Sequence, residues 1–265
     1  MIQGSHGASG RASSSQRRPD QFHPESTLGA LAESGISSRQ PHPRRIARKN
    51  CTFSAMFIEL VDALRCPNPH EESWLVAATG SMQARHIIHG KVGCPVCKAE
   101  YPIAYGVVDF RPDTSASVDT PSAAPNEQLA MRLAALLGLS DSQGFAVLLG
   151  TWGAQAALLA GIVETPLILV NPPADVAGSP GISVIRCDGP IPLAAGSARA
   201  VALDDTYKEG AASAVRVTRT GGRVVGPVSV GIPDGAREIA RDDSLWVGER
   251  SAPASPLVSL HVRRS

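Results

Sequence analysis

Residues 144–170 read GFAVLLGTWGAQAALLAGIVETPLILV. Two apolar runs, Phe145–Leu149 and Leu167–Val170, flank a stretch of Ala and Leu at helical spacing. A strand with no polar alternation is buried on both faces, as parallel strands are. The stretch is therefore strand, helix, strand, the repeating unit of an α/β sheet. The same alternation continues downstream. ISVIR (182–186), ARAVALDD (198–205), GGRVVGPV (221–228) and PLVSLHVRR (256–264) read as strands, and KEGAASAVRVT (208–218) reads as a helix. Upstream, NEQLAMRLAALLGL (126–139) has helical spacing, with Asn126 as its N-cap. Short connections make residues 126–265 a lean, doubly wound, Rossmann-like domain.

Residues 113–125 are rich in Ser, Asp, Ala and Pro and read as a linker. Before it lies a cysteine-bearing unit, residues 56–112. MFIELVDALRCP (56–67) opens it with a short helix. SWLVAAT (73–79) and ARHIIHGKVGCPVC (84–97) read as strands, and YPIAYGVVDF (101–110) as a closing hairpin. The expected fold class is thus α/β, a small α+β metal module followed by a doubly wound sheet.

Composition limits the function. The chain of 265 residues carries a net charge of +1, unevenly spread. Residues 1–55 hold 8 Lys and Arg against 3 Asp and Glu, which leaves 17 against 21 for the rest. A mildly acidic folded part does not indicate nucleic-acid binding, which needs a basic face. No run of 18 apolar residues is present, so no membrane association is expected. Residues 1–55 lack a signal-peptide core and read as a disordered extension. Their Arg-rich composition also suits an organellar transit peptide. A third reading makes them non-native, with translation starting at Met56, and the mass of the native protein decides among these.

Five cysteines, Cys51, Cys66, Cys94, Cys97 and Cys187, form an odd and sparse set. Such a set suits a reducing, cytoplasmic setting and a metal site better than disulfides. Cys94-Pro-Val-Cys97 is half of a tetrahedral thiolate site. Cys66-Pro-Asn-Pro-His70 supplies the partner half, giving Cys66, His70, Cys94 and Cys97 as ligands of a structural Zn²⁺. His86 and His89 compete with His70 for the fourth place. A catalytic zinc is disfavoured, because no carboxylate stands beside these residues as a base.

FIELVDALRCP…GCPVCKAEYPIAYGVVDF resembles the small zinc-ribbon family that activates tRNA, ribosomal and release-factor methyltransferases. The resemblance covers residues 56–112. Pro69 stands where that family has its second cysteine. The family does no chemistry itself, so the resemblance implies a protein partner, a methyltransferase or another translation-related protein.

Residues 126–265 resemble class I S-adenosylmethionine-dependent methyltransferases, through CDGPIPLAAGSARAVALDD (187–205) and RVTRTGGRVVGP (216–227). The resemblance implies S-adenosylmethionine as cofactor. It places Gly150 and Gly153 in the glycine turn, Asn171 at the ribose and Asp188 at the adenine. Three positions depart from the family pattern. Trp152 replaces a glycine, Leu148 replaces the acid of the first strand, and Asn171 replaces the ribose-binding carboxylate, losing charge-assisted strength. The Asn171-Pro172-Pro173 triplet reads as a strand-end turn. Asp204 and Asp205 read as a solvated helix N-cap, and Cys187 as a small buried residue. No catalytic residue is assigned. The expected function is a zinc-binding protein with a degenerate methyltransferase-like domain that scaffolds or stabilises a partner. The alternative is an active S-adenosylmethionine-dependent methyltransferase of unknown substrate.

Overall fold

The computed structural model describes residues 54–112, 120 and 122–252. These all belong to one compact unit, Asn50–Ser265. The readings of residues 1–53, and of PLVSLHVRR as a strand, lie outside the described residues.

Residues 54–112 form β1 (Met56–Phe57), α1 (Leu60–Ala63), β2 (Val76–Gln83), β3 (His86–Gly93), β4 (Glu100–Ala104) and β5 (Val107–Asp109). The opening segment is thus a two-residue strand followed by a one-turn helix. Antiparallel pairing runs through β3, which takes β2, β1 and β4 as partners.

The remainder contains α2 (Glu127–Leu137), β6 (Ala146–Leu149), α3 (Ala156–Ala160), β7 (Leu167–Val170), β8 (Ile182–Arg186) and β9 (Ala198–Ala202). It continues through α4 (Ala211–Val217), β10 (Thr218–Pro227), β11 (Ala236–Arg241) and β12 (Leu245–Arg250). The α2 boundaries have local causes. Asn126 Oδ1 accepts from the Leu129 N–H at 2.9 Å, and Gly138 closes the helix in the left-handed region at φ 68°.

One 12-stranded sheet runs through both portions, in the order β1-β3-β4-β5-β8-β7-β6-β9-β10-β12-β11, with β2 on the outer side of β3. β5, β8, β7, β6, β9 and β10 are mutually parallel in that order. The cysteine-bearing unit therefore joins the α/β sheet by main-chain pairing, Val107–Asp109 against Val184–Arg186. The α/β reading holds. The sequence does not announce β11 and β12, an antiparallel hairpin that closes the far edge. β11 reads AREIAR and is exposed along most of its length, so it lacks the apolar run that marked the central strands.

Side-chain alternation divides the core between two faces. Val147, Leu149, Ile168, Val170, Ile185, Val201 and Leu203 point to one face, where α1, α4 and the buried residues of β3–β5 pack. Ala146, Leu148, Leu167, Leu169, Ile182, Val184, Ala200 and Ala202 point to the other, under Ala130, Leu133 and Leu137 of α2 and Ala156 and Leu159 of α3. With helices on both faces, fully apolar strands are the only ones that fit.

Ile185 is fully buried and pairs with Val108 across the seam between the two portions. Ile185→Ala is expected to lower the unfolding free energy by about 2–5 kcal/mol. Urea denaturation followed by circular dichroism should show one cooperative transition in both proteins. Two separated transitions would contradict a single folding unit.

Candidate metal centre and cofactor cleft

Two short loops bring the metal-type ligands together. The first leaves α1 and is closed by a bridge between Arg65 and Trp74, with the Cys66 N–H donating to Ser73 O at 3.2 Å. Cys66 and His70 lie inside it. The second joins β3 to β4, whose last pair is Gly93 with Glu100. Within it the Cys94 N–H donates to Ala99 O at 2.8 Å, and Lys98 turns the chain at φ 62°.

The four ligand atoms of Cys66, His70, Cys94 and Cys97 lie within 4.8 Å of one another. Cys66 Sγ is 3.7 Å from Cys97 Sγ, and His70 Nε2 is 3.4 Å from Cys94 Sγ. A tetrahedral zinc with ordinary bond lengths has S···S edges of about 3.8 Å and S···N edges of about 3.6 Å. The donor set therefore fits a tetrahedral metal ion. His70 Nδ1 is 2.6 Å from Glu71 O. A carbonyl only accepts, so Nδ1 carries the proton and Nε2 offers its lone pair to the cluster. His86 and His89 lie outside this group. His86 lines a groove with Phe57 and Arg85, and the His89 ring meets Tyr105 edge-on at 4.8 Å.

The thiols differ in environment. The Ala99 backbone N–H and the Asn68 amide draw the Cys97 thiol down to about 6. Burial pushes the Cys66 thiol up. The Glu71 carbonyl holds His70 above its ordinary value.

Of the positions implied for S-adenosylmethionine, Asn171 and Asp188 line one cavity, while Gly150 lies against Asp204 and Gly153 against Pro172. Gly150 begins a 3-10 turn, Gly150–Gln155, at φ 57°. A Cβ there would stand 2.2 Å from Asp204 Oδ2, so the Asp204 carboxylate covers the glycine. Thr151 donates to Asp204 Oδ2 from its N–H at 2.6 Å and from Oγ1 at 2.8 Å. Thr206 donates to Asp204 Oδ1 from its N–H at 3.1 Å and from Oγ1 at 2.5 Å. Asp204 does cap the following turn, Asp205–Tyr207, but it is buried rather than solvated. Trp152 Nε1 donates to Leu203 O at 2.9 Å, which fixes the indole across the end of β9. Gly153 packs against Pro172, where a Cβ would come within 2.5 Å of the ring.

Asn171 is buried in the left-handed region at φ 47°. Its Nδ2 donates to Cys187 O and to Tyr207 Oη, both at 2.7 Å. Its Oδ1 accepts from the Cys187 N–H at 3.0 Å, and its backbone carbonyl accepts from Thr120 Oγ1 at 2.9 Å. Both amide protons are used inside the protein. Asn171 and Asp188 line a cavity of about 470 Å³ with Thr120, Cys187, Tyr207 and Ser213. Asp188 is exposed at its rim. Cys187 is buried, and burial pushes its thiol up to about 12, away from nucleophilic use at neutral pH.

Sequence reasoning did not single out Asp204 as the cover of the glycine turn, nor Tyr101 and Asn68 as neighbours of the sulfurs. Asp204 and Thr151 are 53 residues apart, and no local pattern announces that contact.

A scan against protein-family models finds no match, and a search of curated proteins finds none. Among solved structures, the chain is similar to a putative S-adenosyl-L-methionine-dependent methyltransferase from Methanococcus maripaludis, at 10% identity and TM-score 0.36, over 49% of this chain and 87% of that one. It is similar to a protein from Corynebacterium glutamicum, at 16% identity and TM-score 0.37, over 49% and 84%. It is also similar to a tRNA methyltransferase from Aquifex aeolicus, at 12% identity and TM-score 0.35, over 70% and 100%.

With its thiol drawn down to about 6, Cys97 of the metal-free protein is expected to be mainly thiolate at pH 7. Among Cys66, Cys94, Cys97 and Cys187 it is expected to be the first alkylated by iodoacetamide, as peptide mass mapping will show. Its rate should fall about tenfold per pH unit below 5, because only the thiolate reacts. Uniform labelling of these four cysteines would contradict this.

Proposed function

We propose that this chain is a zinc-stabilised binding protein built on a methyltransferase-like α/β sheet, and that it scaffolds or stabilises a protein partner without transferring methyl groups. The observation that carries the reading is the Asp204 carboxylate lying over Gly150. In a working cofactor cleft the glycine turn leaves its backbone open to the ligand. Here the glycine is covered by a side chain that accepts four hydrogen bonds from Thr151 and Thr206. Asn171 supports the reading further, since both of its amide protons are taken by Cys187 O and Tyr207 Oη and its Oδ1 already accepts from the Cys187 N–H. Buried groups of this kind are costly to unpair.

Zinc is the metal we assign to the Cys66, His70, Cys94 and Cys97 set, because three thiolates and an imidazole in tetrahedral spacing suit its structural sites. The zinc-ribbon and methyltransferase resemblances point to a methyltransferase or another translation-related protein as the partner. The second reading, an active methyltransferase of unknown substrate, draws on the cavity beside Asn171 and Asp188, which retains room at the strand ends.

Two measurements test these assignments. Elemental analysis is expected to give one zinc per chain, falling well below one in Cys94→Ser; a variant that keeps full zinc would overturn the ligand set. Isothermal titration of the zinc-loaded protein with S-adenosylmethionine is expected to show no binding at millimolar ligand. Micromolar binding would overturn the scaffold reading in favour of the enzyme.

A further inference from the structure

Two side chains touch the sulfur atoms of the cluster without belonging to it. Tyr101 Oη lies 3.5 Å from Cys66 Sγ, and Asn68 Nδ2 lies 3.3 Å from Cys97 Sγ. We infer that Tyr101 and Asn68 are positioning residues for the metal, that they raise its affinity by donating hydrogen bonds to two of its sulfurs, and that Tyr101 also ties metal occupancy to the seam between β5 and β8. This rests on the zinc reading of the Cys66, His70, Cys94 and Cys97 set.

The charge balance of the site explains why such donors matter. Three thiolates and one neutral imidazole around a divalent ion leave one excess negative charge, spread over the sulfurs. An N–H or O–H aimed at a sulfur stabilises that charge and holds the sulfur in its bound position before the metal arrives. The two donors do not count equally. Asn68 and Cys97 are exposed, so water replaces the amide when it is removed. Tyr101 is 8% exposed and Cys66 is partly buried, so the loss of the phenol leaves that sulfur with a poorer substitute.

Tyr101 reaches beyond the cluster. It sits on β4, and its ring packs against Phe110 with centroids 4.7 Å apart. Phe110 directly follows β5, and its N–H donates to Arg186 O at the end of β8 at 2.8 Å. One phenol therefore connects a metal-binding sulfur to the strand pair that joins the two portions of the sheet. The ring carries the packing and the hydroxyl carries the sulfur contact, so Tyr101→Phe separates the two roles.

The experiment is a zinc competition titration against a chromophoric chelator on the full chain. It compares wild type with Tyr101→Phe, Asn68→Ala and the control Tyr105→Phe, whose exposed ring lies against His89. Tyr101→Phe is expected to bind zinc about 10–100-fold more weakly, the range found when a group supporting a metal ligand is removed. Asn68→Ala should show a smaller loss, and Tyr105→Phe none. The melting temperatures of metal-free wild type and metal-free Tyr101→Phe should coincide, while at a fixed zinc concentration that only the wild type saturates, zinc raises the wild-type value more. A purely structural tyrosine would instead lower the metal-free value and leave the affinity alone. Equal zinc affinity in wild type, Tyr101→Phe and Asn68→Ala overturns the inference by itself. A wild type that takes up no zinc overturns the metal reading and the inference with it.

Discussion

Three residue pairs hold this molecule together as one sheet: Val107 with Val184, Val108 with Ile185, and Asp109 with Arg186. Without them β8 would end the parallel sheet with an open row of N–H and C=O groups, and β5 would end the cysteine-bearing unit in the same way. Open edges invite pairing with other chains, and folds cover them. Here each portion covers the other. The seam also places Val108 and Ile185 in one core with Met56, Leu60 and Ile87 from one side and Val170 and Val201 from the other. Backbone pairing and apolar burial thus act on the same few residues.

The cysteine-bearing unit depends on this arrangement. Its described residues, 54–112, are too few to bury a large core of their own. β2 is exposed along nearly its whole length, and α1 is a single turn. Such a unit needs a second source of order. The cluster of Cys66, His70, Cys94 and Cys97 brings the loop after α1 to the β3–β4 turn at one end, and the seam holds β5 at the other. Tyr101 lies between these two anchors.

The cleft above the parallel strands obeys a similar economy. A carboxylate removed from water must be repaid in hydrogen bonds. Asp204 receives four, two of them from the threonine that follows Gly150. The glycine at 150 accommodates the approach of that carboxylate, a close contact that any Cβ would block. The same residue type that opens a turn to a ligand in one setting here admits a side chain of its own protein. Asn171, held by Cys187 and Tyr207, completes the internal network and leaves Asp188 at the rim.

Much of the central architecture was legible in the sequence, because it rests on short-range regularities. The apolar runs at 146–149 and 167–170 read as strands buried on both faces, and the spacing after Asn126 places one face of a helix inward. The Cys66–His70 and Cys94–Cys97 pairs were visible for the same reason, as knuckles are set by spacing within a few residues. The hairpin of β11 and β12 escaped notice because an edge strand such as AREIAR carries charges where a central strand carries valine. Tertiary structure alone decided three matters: that β5 pairs with β8, that Asp204 covers Gly150, and that Tyr101 meets Cys66. Each joins residues between 35 and 77 positions apart. Side-chain periodicity determines which face of an element is buried. Backbone N–H and C=O groups are alike in nearly every residue, so the partner of a sheet edge, and the side chains that meet once it is paired, emerge only when the chain has folded.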